Sequence, residues 1–162
     1  MSLYITLELL TEQDFCELFR FESENRTFFE RSVPGRGDDY YQYPIFTERN
    51  RALLEEQAKG LSFFFLIRKN GEIAGRVNAV DIDSSGCGHI GYRVSERFAG
   101  QGVASEGVAL LIGEAERLGM ACLLAKTTQT NIGSQQVLKK NGFEITAEEQ
   151  EFIHFRKEIS CT

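Results

Sequence analysis

The chain has 162 residues, a length typical of one domain, and 42% apolar and 26% charged residues, as in soluble globular proteins. Its net charge of −6 argues against a general nucleic-acid binder, which needs basic surface, although an acidic surface would suit a cationic substrate such as an amine. The N-terminus lacks the basic start of a signal peptide, and the longest apolar run, 63–67, is too short to span a membrane. We therefore predict a single domain over 1–162 without a nucleic-acid or membrane partner.

The predicted elements follow the order β-α-α-β-β-β-α-β-α-β-β, which indicates an α/β (α+β) fold with a mixed, mostly antiparallel sheet flanked by helices. Asn70-Gly71 is a strong hairpin signal, and Gly119 and Gly142 end helices. In chain order we predict a strand at 4–10, a helix from 12 towards 28, a helix at 47–58, strands at 61–68, 73–82 and 88–94, a helix at 102–118, a strand at 120–127, a helix at 131–141, and strands at 143–146 and 151–158.

The four cysteines, at positions 16, 87, 122 and 161, are scattered and form no Cys-x-x-Cys pair. Only His89 and His154 could join them in a metal site, so we predict no metal. Free thiols suit a reducing compartment, so we expect a cytoplasmic protein without a disulfide framework. Cys87 and Cys122 are then expected to be small core residues.

A glycine-rich segment, Arg97-Phe98-Ala99-Gly100-Gln101-Gly102-Val103-Ala104, joins a predicted strand to a predicted helix. Such a turn exposes backbone N–H groups at a helix N-terminus, where they can hold a phosphate. The dinucleotide motif G-x-G-x-x-G does not fit, because Ser105 takes the third glycine position, and the Lys-Ser or Lys-Thr pair of a P-loop is absent. An ordinary tight turn without a ligand is the alternative.

A second segment, residues 131–143, starts with Asn at the end of a predicted strand and closes with Asn-Gly-Phe. Together the two segments resemble the GNAT N-acetyltransferase superfamily. The matching residues are Arg97, Gly100 and Gly102 for its cofactor motif and Asn131, Ser134, Gly142 and Phe143 for its later motif. Three further stretches, 9–14, Ile90-Gly91-Tyr92 and 102–107, are similar to the RimJ/RimL-like branch, which acetylates protein N-terminal amines.

The resemblance implies that acetyl-CoA is the co-substrate. The backbone from Phe98 to Ala104 would bind its pyrophosphate, with the helix dipole adding favourable potential. The pantetheine arm would pair with the backbone of Tyr92, Arg93 and Val94. Asn131 would contact the arm from the opposite side, or would simply be a helix N-cap.

The resemblance also suggests catalytic residues, since acetyl transfer in this superfamily is usually direct and needs no covalent cysteine. Many members place a tyrosine near the leaving thiolate, where this chain has Leu138. In the RimJ/RimL-like branch a serine such as Ser134 can be the acid, although it could also be a capping serine. Candidate bases are Glu151 and His89, and a structural role for His89 is the alternative.

The acceptor is the least defined part of the sequence. In this fold the connection between the first two helices lines the acceptor groove, so we predict a contribution from Tyr40, Tyr41 or Tyr43; the alternative is a surface loop anchored by aromatics. The predicted function is acetyl transfer from acetyl-CoA to a primary amine, most simply a protein N-terminus, by a monomer or homodimer. A small-molecule amine acetyltransferase (for a polyamine or an antibiotic) and a non-catalytic acyl-CoA sensor stay as alternatives, the sensor because of Leu138.

Overall fold

The computed structural model describes residues 4–159 of the chain. Its helices and strands, in chain order, are β1 (Ile5–Leu9), α1 (Phe15–Glu24), α2 (Arg26–Glu30), α3 (Tyr43–Ala58), β2 (Phe63–Lys69), β3 (Glu72–Val80), β4 (Cys87–Val94), α4 (Val103–Arg117), β5 (Cys122–Thr128), α5 (Ile132–Lys140), β6 (Glu144–Glu148) and β7 (Phe152–Glu158). Short 3-10 helices precede α1, α3 and α4. Within the described residues, no helix is both long and apolar enough to cross a bilayer.

Seven strands form one sheet in the order β1-β2-β3-β4-β5-β7-β6. Every neighbouring pair is antiparallel except β4 and β5, which run parallel. The predicted mixed, mostly antiparallel fold class is therefore confirmed. The Asn70-Gly71 hairpin is also present, since Lys69 and Glu72 pair directly across it.

The parallel pair of β4 and β5 is short, and the two strands separate beyond it. β4 and β5 pair only from Cys87↔Cys122 to His89↔Leu124. Beyond His89, β4 continues along β3 to Val94, whereas β5 continues along β7 to Thr128. The sheet therefore forks after His89, and the outer part of β4 has one edge without a strand partner.

Two hydrophobic clusters cover the two faces of the sheet. One packs α4 and α5 on the sheet and includes the buried residues Val77, Leu111, Leu123, Leu138 and Phe155. The other packs α1, α2 and α3 on the opposite face and includes Phe15, Leu18, Phe29, Phe46 and Leu66. Burial of each such side chain is worth roughly 1.5–3 kcal/mol, so both faces contribute to holding the fork in shape.

The first predicted helix is interrupted, because Asn25 separates α1 from α2. Its side-chain amide donates to the Phe21 carbonyl at 2.9 Å, and its Oδ1 accepts the Glu96 N–H at 3.2 Å. An Asn side chain that bonds backbone groups in this way competes with the helical ladder. The next helix starts earlier than predicted, at Tyr43, since Pro44 lies in its first turn, where its missing N–H costs nothing.

The expectation of free thiols is wrong for two of the cysteines. Cys87 and Cys122 lie directly opposite each other in the β4–β5 register, with Cα atoms 4.5 Å apart, and form a disulfide. Both are buried, as predicted, while Cys16 is exposed and free. Cys161 lies outside the described residues. The disulfide links the two strands at the closed end of the fork.

Candidate active site

A cleft of about 460 Å³ opens where β4 leaves β5. It is bounded by the outer end of β4, the turn before α4, the first turns of α4 and α5, and the end of α2. The residues lining it are Phe28, Phe29, Ser32, Val33, Tyr92, Arg93, Val94, Phe98, Ala99, Gly100, Gly102, Val103, Ala104, Ser105, Asn131, Gly133, Ser134 and Val137. Because the cleft separates β4 from β5, residues on both faces of the sheet line it. Phe28 and Phe29 belong to the face that carries α1, α2 and α3, and Val137 belongs to the face that carries α4 and α5.

The glycine turn presents a row of backbone donors to this cleft. Gly100 and Gly102 have φ values of 75° and 79°, in the left-handed region that glycine adopts without strain, and Gly102 is the N-cap of α4. Within residues 4–159, the N–H groups of residues 100–105 donate no hydrogen bond to a protein acceptor. Unpaired N–H groups at the start of a helix of 15 residues form an anion site, which suits a pyrophosphate.

The row of unpaired N–H groups begins two residues later than predicted and ends one residue later. The N–H groups of Phe98 and Ala99 are used inside the turn, donating to the Ser95 and Glu96 carbonyls at 3.1 and 3.2 Å. The side chains of Arg97 and Gln101 do not line the cleft. They point to the surface, where Arg97 pairs with Glu72, and Gln101 Oε1 accepts a hydrogen bond from Lys69 Nζ at 2.6 Å.

Across the cleft, the start of α5 is ordered by Asn131. Its Oδ1 accepts the Ser134 N–H at 3.1 Å, so Asn131 is the N-cap of α5. It also lines the cleft, so both predicted roles remain compatible with its position. Ser134, in the first turn of the helix, faces the same space.

Ser134 has a partner that the sequence motifs did not indicate. The Tyr92 hydroxyl, projecting from β4, lies 2.6 Å from Ser134 Oγ. Burial raises the pKa of Tyr92 above its ordinary value, and the hydrogen bond to Ser134 only partly opposes this. Leu138, where many superfamily members carry a tyrosine, is fully buried. A tyrosine hydroxyl is thus present at this end of the cleft, but it comes from β4 and not from α5.

Neither candidate base has its side chain among the cleft-lining residues. His89 is exposed at the apex of the fork, at the last position where β4 pairs with β5. Glu151 is exposed just before β7, and its carbonyl accepts the Gln129 N–H at 3.0 Å. Both catalytic roles stay predictions.

The three predicted acceptor-contacting tyrosines also lie off the cleft. Tyr40 is 4% exposed, and its hydroxyl receives a hydrogen bond from Arg36 at 2.7 Å. Tyr41 lies beneath the Arg26 guanidinium, 4.3 Å from its ring centroid. Tyr43 packs edge-on against Phe19, with ring centroids 5.2 Å apart. The three rings hold the segment between α2 and α3 against the helices. Their contribution to acceptor binding stays a prediction.

A buried charge cluster adjoins the cleft on the α1 side of the sheet. Glu22 is fully buried, and its carboxylate lies 2.9 Å from Arg76 Nη1, 3.3 Å from Arg36 Nη1 and 3.8 Å from Arg93 Nη1. Burial opposes ionisation of Glu22, but the three guanidinium groups outweigh it and hold the pKa of Glu22 below its ordinary value. Sequence spacing carries no signal for this cluster, because its members come from α1, the loop before α3, β3 and β4.

The mixed, mostly antiparallel sheet and the turn with unpaired N–H groups before α4 agree with the fold that the family resemblance implied. The family model described as acetyltransferase (GNAT) domain matches residues 5–144. The chain therefore belongs to the GNAT acetyltransferase family. This confirms both the resemblance and the prediction of an N-acetyltransferase.

Comparison with individual proteins agrees with this assignment. Over 135 residues the chain is 31% identical to the probable N-acetyltransferase YjcK of Bacillus subtilis (strain 168), covering 80% of this chain and 75% of that protein. The ribosomal-protein-S5-alanine acetyltransferase from Vibrio fischeri superposes with a TM-score of 0.89 at 20% identity, over 98% of this chain and 95% of that one. RimJ of Mycobacterium smegmatis, in complex with CoA-disulfide, gives a TM-score of 0.84 at 17% identity, over 95% and 81% of the two chains. At these identities the two structures establish a shared fold.

Proposed function

We propose that this protein transfers the acetyl group of acetyl-CoA to a primary amine, namely the N-terminal amine of a protein. The observation that carries the proposal is the row of unpaired N–H groups at residues 100–105, placed at the mouth of the fork. The acceptor class is supported by the likeness to an enzyme named for acetylating ribosomal protein S5 and to RimJ. The RimJ/RimL-like sequence features point the same way.

Acetyl-CoA would lie along the fork. Its pyrophosphate would accept hydrogen bonds from the N–H groups of residues 100–105 at the N-terminus of α4. Its pantetheine amides would pair with the free edge of β4 at Tyr92, Arg93 and Val94, opposite the edge that pairs with β3. Asn131 would close the cleft from the other side.

In the reaction, the neutral amine nitrogen attacks the thioester carbonyl carbon, and the C–S bond breaks as the tetrahedral intermediate collapses. The Ser134 hydroxyl gives its proton to the leaving thiolate, and the Tyr92 hydroxyl, 2.6 Å away, returns a proton to Ser134. Tyr92 then regains a proton from solvent, and the base releases the proton of the amine to solvent. The attacking nitrogen loses its proton to a base, for which His89 and Glu151 are the two candidates. Comparing kcat of His89→Gln and Glu151→Gln separates them, because loss of the base lowers kcat by roughly 10²–10⁴-fold.

The test of the function is release of free CoA when acetyl-CoA is mixed with a panel of peptides and small amines. Turnover of peptides with free N-termini, and none of the same peptides with blocked N-termini, is the expected result. Turnover restricted to polyamines or other small amines would favour the small-molecule alternative. Tight acetyl-CoA binding without turnover across the panel would favour the acyl-CoA sensor.

The proposal includes the partners and location expected from the sequence. These are a monomer or homodimer that works without nucleic acid, membrane or metal, in the cytoplasm. The net charge of −6 is consistent with the exclusion of nucleic acid. The cytoplasmic location no longer has the support of free thiols at Cys87 and Cys122, because these two form a disulfide.

A further inference from the structure

The guanidinium of Arg93 lies at the edge of the cleft and has no hydrogen-bond partner among the described residues. Its side chain is 24% exposed and lines the cleft, and it stacks on the Phe29 ring at 4.8 Å. Within residues 4–159 it donates no hydrogen bond, and its nearest carboxylate oxygen, on Glu22, is 3.8 Å away. Buried or half-buried donors are normally paired, so this one calls for an acceptor from outside the chain.

Glu22 does not satisfy Arg93, because its Oε2 lies 3.8 Å from Arg93 Nη1, beyond hydrogen-bond distance, while its two oxygens bond Arg76 and Arg36. One buried carboxylate therefore faces three guanidinium groups, which leaves excess positive charge beside the cleft. Burial lowers the pKa of Arg93, and the neighbouring Arg36 lowers it further. The exposed carboxylates nearby, Glu30 and Asp38, share Arg26, so in this group four arginines still outnumber three carboxylates.

Arg93 lies on the opposite face of the sheet from Tyr92. Tyr92 reaches Ser134 on α5, so its side chain is on the face that carries α4, α5 and the glycine turn. Side chains alternate along a strand, and Arg93 accordingly turns to the opposite face, towards α1 and α2. Gly91, on the same face as Arg93, has no atom within 4 Å of the position that a Cβ would occupy, so the surface there is open.

We propose that Arg93, with Arg36 behind it, binds a carboxylate of the acceptor, so that the preferred acceptor is an amine with an acidic group close to the amine. A peptide with Asp or Glu directly after its N-terminal residue meets this description. The inference rests on the proposed function for the identity of the acceptor. The net charge of −6 suggested a surface that suits a cationic substrate, whereas the local charge beside the cleft is positive and suits an acidic group.

The test is the binding of two amidated pentapeptides to the protein saturated with CoA, measured by isothermal titration calorimetry. The peptides have the same sequence except for Glu or Gln at the second residue. We expect the Glu peptide to bind about tenfold more tightly, as one charge-assisted hydrogen bond in a partly exposed site would give. In Arg93→Gln the ratio of the two dissociation constants, Gln peptide over Glu peptide, should fall to about one. In Arg93→Lys, which keeps the charge but loses the forked donor, the ratio should take an intermediate value.

Arg117→Gln is the matched control, because Arg117 is an exposed arginine at the end of α4 and should leave the ratio unchanged. Equal binding of the two peptides to the wild-type protein, or an unchanged ratio in Arg93→Gln, would overturn the inference. CoA release with the same peptides tests the proposed function separately. Turnover of both peptides with equal binding refutes the acidic preference alone, while preferential binding of the Glu peptide without turnover supports the carboxylate site and refutes acetyl transfer to peptides.

Discussion

The hydroxyl of Tyr92 lies 2.6 Å from the hydroxyl of Ser134 and joins β4 to the first turn of α5 across the cleft. The contact bridges 42 residues of sequence and places two exchangeable protons at the end of the fork. Leu138 stands where many superfamily members carry a tyrosine, and it is buried and supplies no hydroxyl. The hydroxyl groups at this end of the cleft are therefore those of Tyr92 and Ser134.

Ser134→Ala should lower kcat by roughly 10²-fold, with little change in the dissociation constant of acetyl-CoA, because it removes the proton donor and leaves the phosphate site intact. Tyr92→Phe should have a smaller effect in the same direction. Since the two hydroxyls act as a unit, the double variant should be about as slow as Ser134→Ala alone. Steady-state kinetics with each variant measures this, and strictly additive losses would show that the two groups act independently.

Gly102→Trp should weaken acetyl-CoA binding by at least about tenfold, since a bulky side chain at the N-cap of α4 obstructs the donor row and strains a residue with positive φ. Calorimetric titration with acetyl-CoA measures the loss, and circular dichroism verifies that the fold is kept. Gly113→Trp is the control, because Gly113 lies on the exposed side of the same helix with open space around it. Unchanged affinity in Gly102→Trp would refute the assignment of the phosphate site.

Glu22→Gln should destabilise the fold by about 3–5 kcal/mol at neutral pH, because it leaves three guanidinium groups beside the cleft without their carboxylate. Urea denaturation measures the change. Glu12→Gln is the control, since Glu12 forms an exposed pair with Arg51 that should contribute no more than about 1 kcal/mol. Equal effects of the two substitutions would contradict the importance of the buried cluster.

The contribution of Glu22 should also depend on pH. Its folded-state pKa is lowered, so the unfolded chain takes up the proton first, and the stabilisation is complete only above the unfolded pKa of about 4.3. It should be lost as the pH falls towards the lower folded pKa. The difference in unfolding free energy between wild type and Glu22→Gln should therefore shrink below about pH 4. A difference independent of pH would mean that the carboxylate is not ionised in the folded protein.

Reduction of the Cys87–Cys122 bond should lower the free energy of unfolding by about 2–4 kcal/mol, as expected for a loop of this size. The Cys87→Ser/Cys122→Ser double variant should match the reduced wild type and lose its sensitivity to reductant. Cys16→Ser is the control, because Cys16 is an exposed free thiol. Alkylation of both Cys87 and Cys122 in the unfolded, unreduced protein would contradict the bond.

Local sequence patterns were sufficient for most elements and for the turn and helix cap that line the cleft. The Asn70-Gly71 turn, the glycines at 100 and 102 and the cap at Asn131 each act through neighbouring residues, so a short stretch of chain contains the whole signal. The mixed, mostly antiparallel character of the sheet followed from the order of these elements and from the family resemblance, whereas the order of strands within the sheet was not predicted. The helix break at Asn25 was missed because its side chain bonds to Glu96, which is distant in sequence.

The sequence by itself therefore determined the fold class, the family and the position of the glycine turn before α4. Only the tertiary structure decided how the far end of the cleft is built: Tyr92 with Ser134, Cys87 with Cys122, and Glu22 with its arginines. The partners are 35 residues apart for Cys87 and Cys122, 42 for Tyr92 and Ser134, and 54 for Glu22 and Arg76. No local periodicity relates residues at such separations. They meet because β4 pairs with β5 over three residues and then separates, and that fork is a property of the assembled sheet.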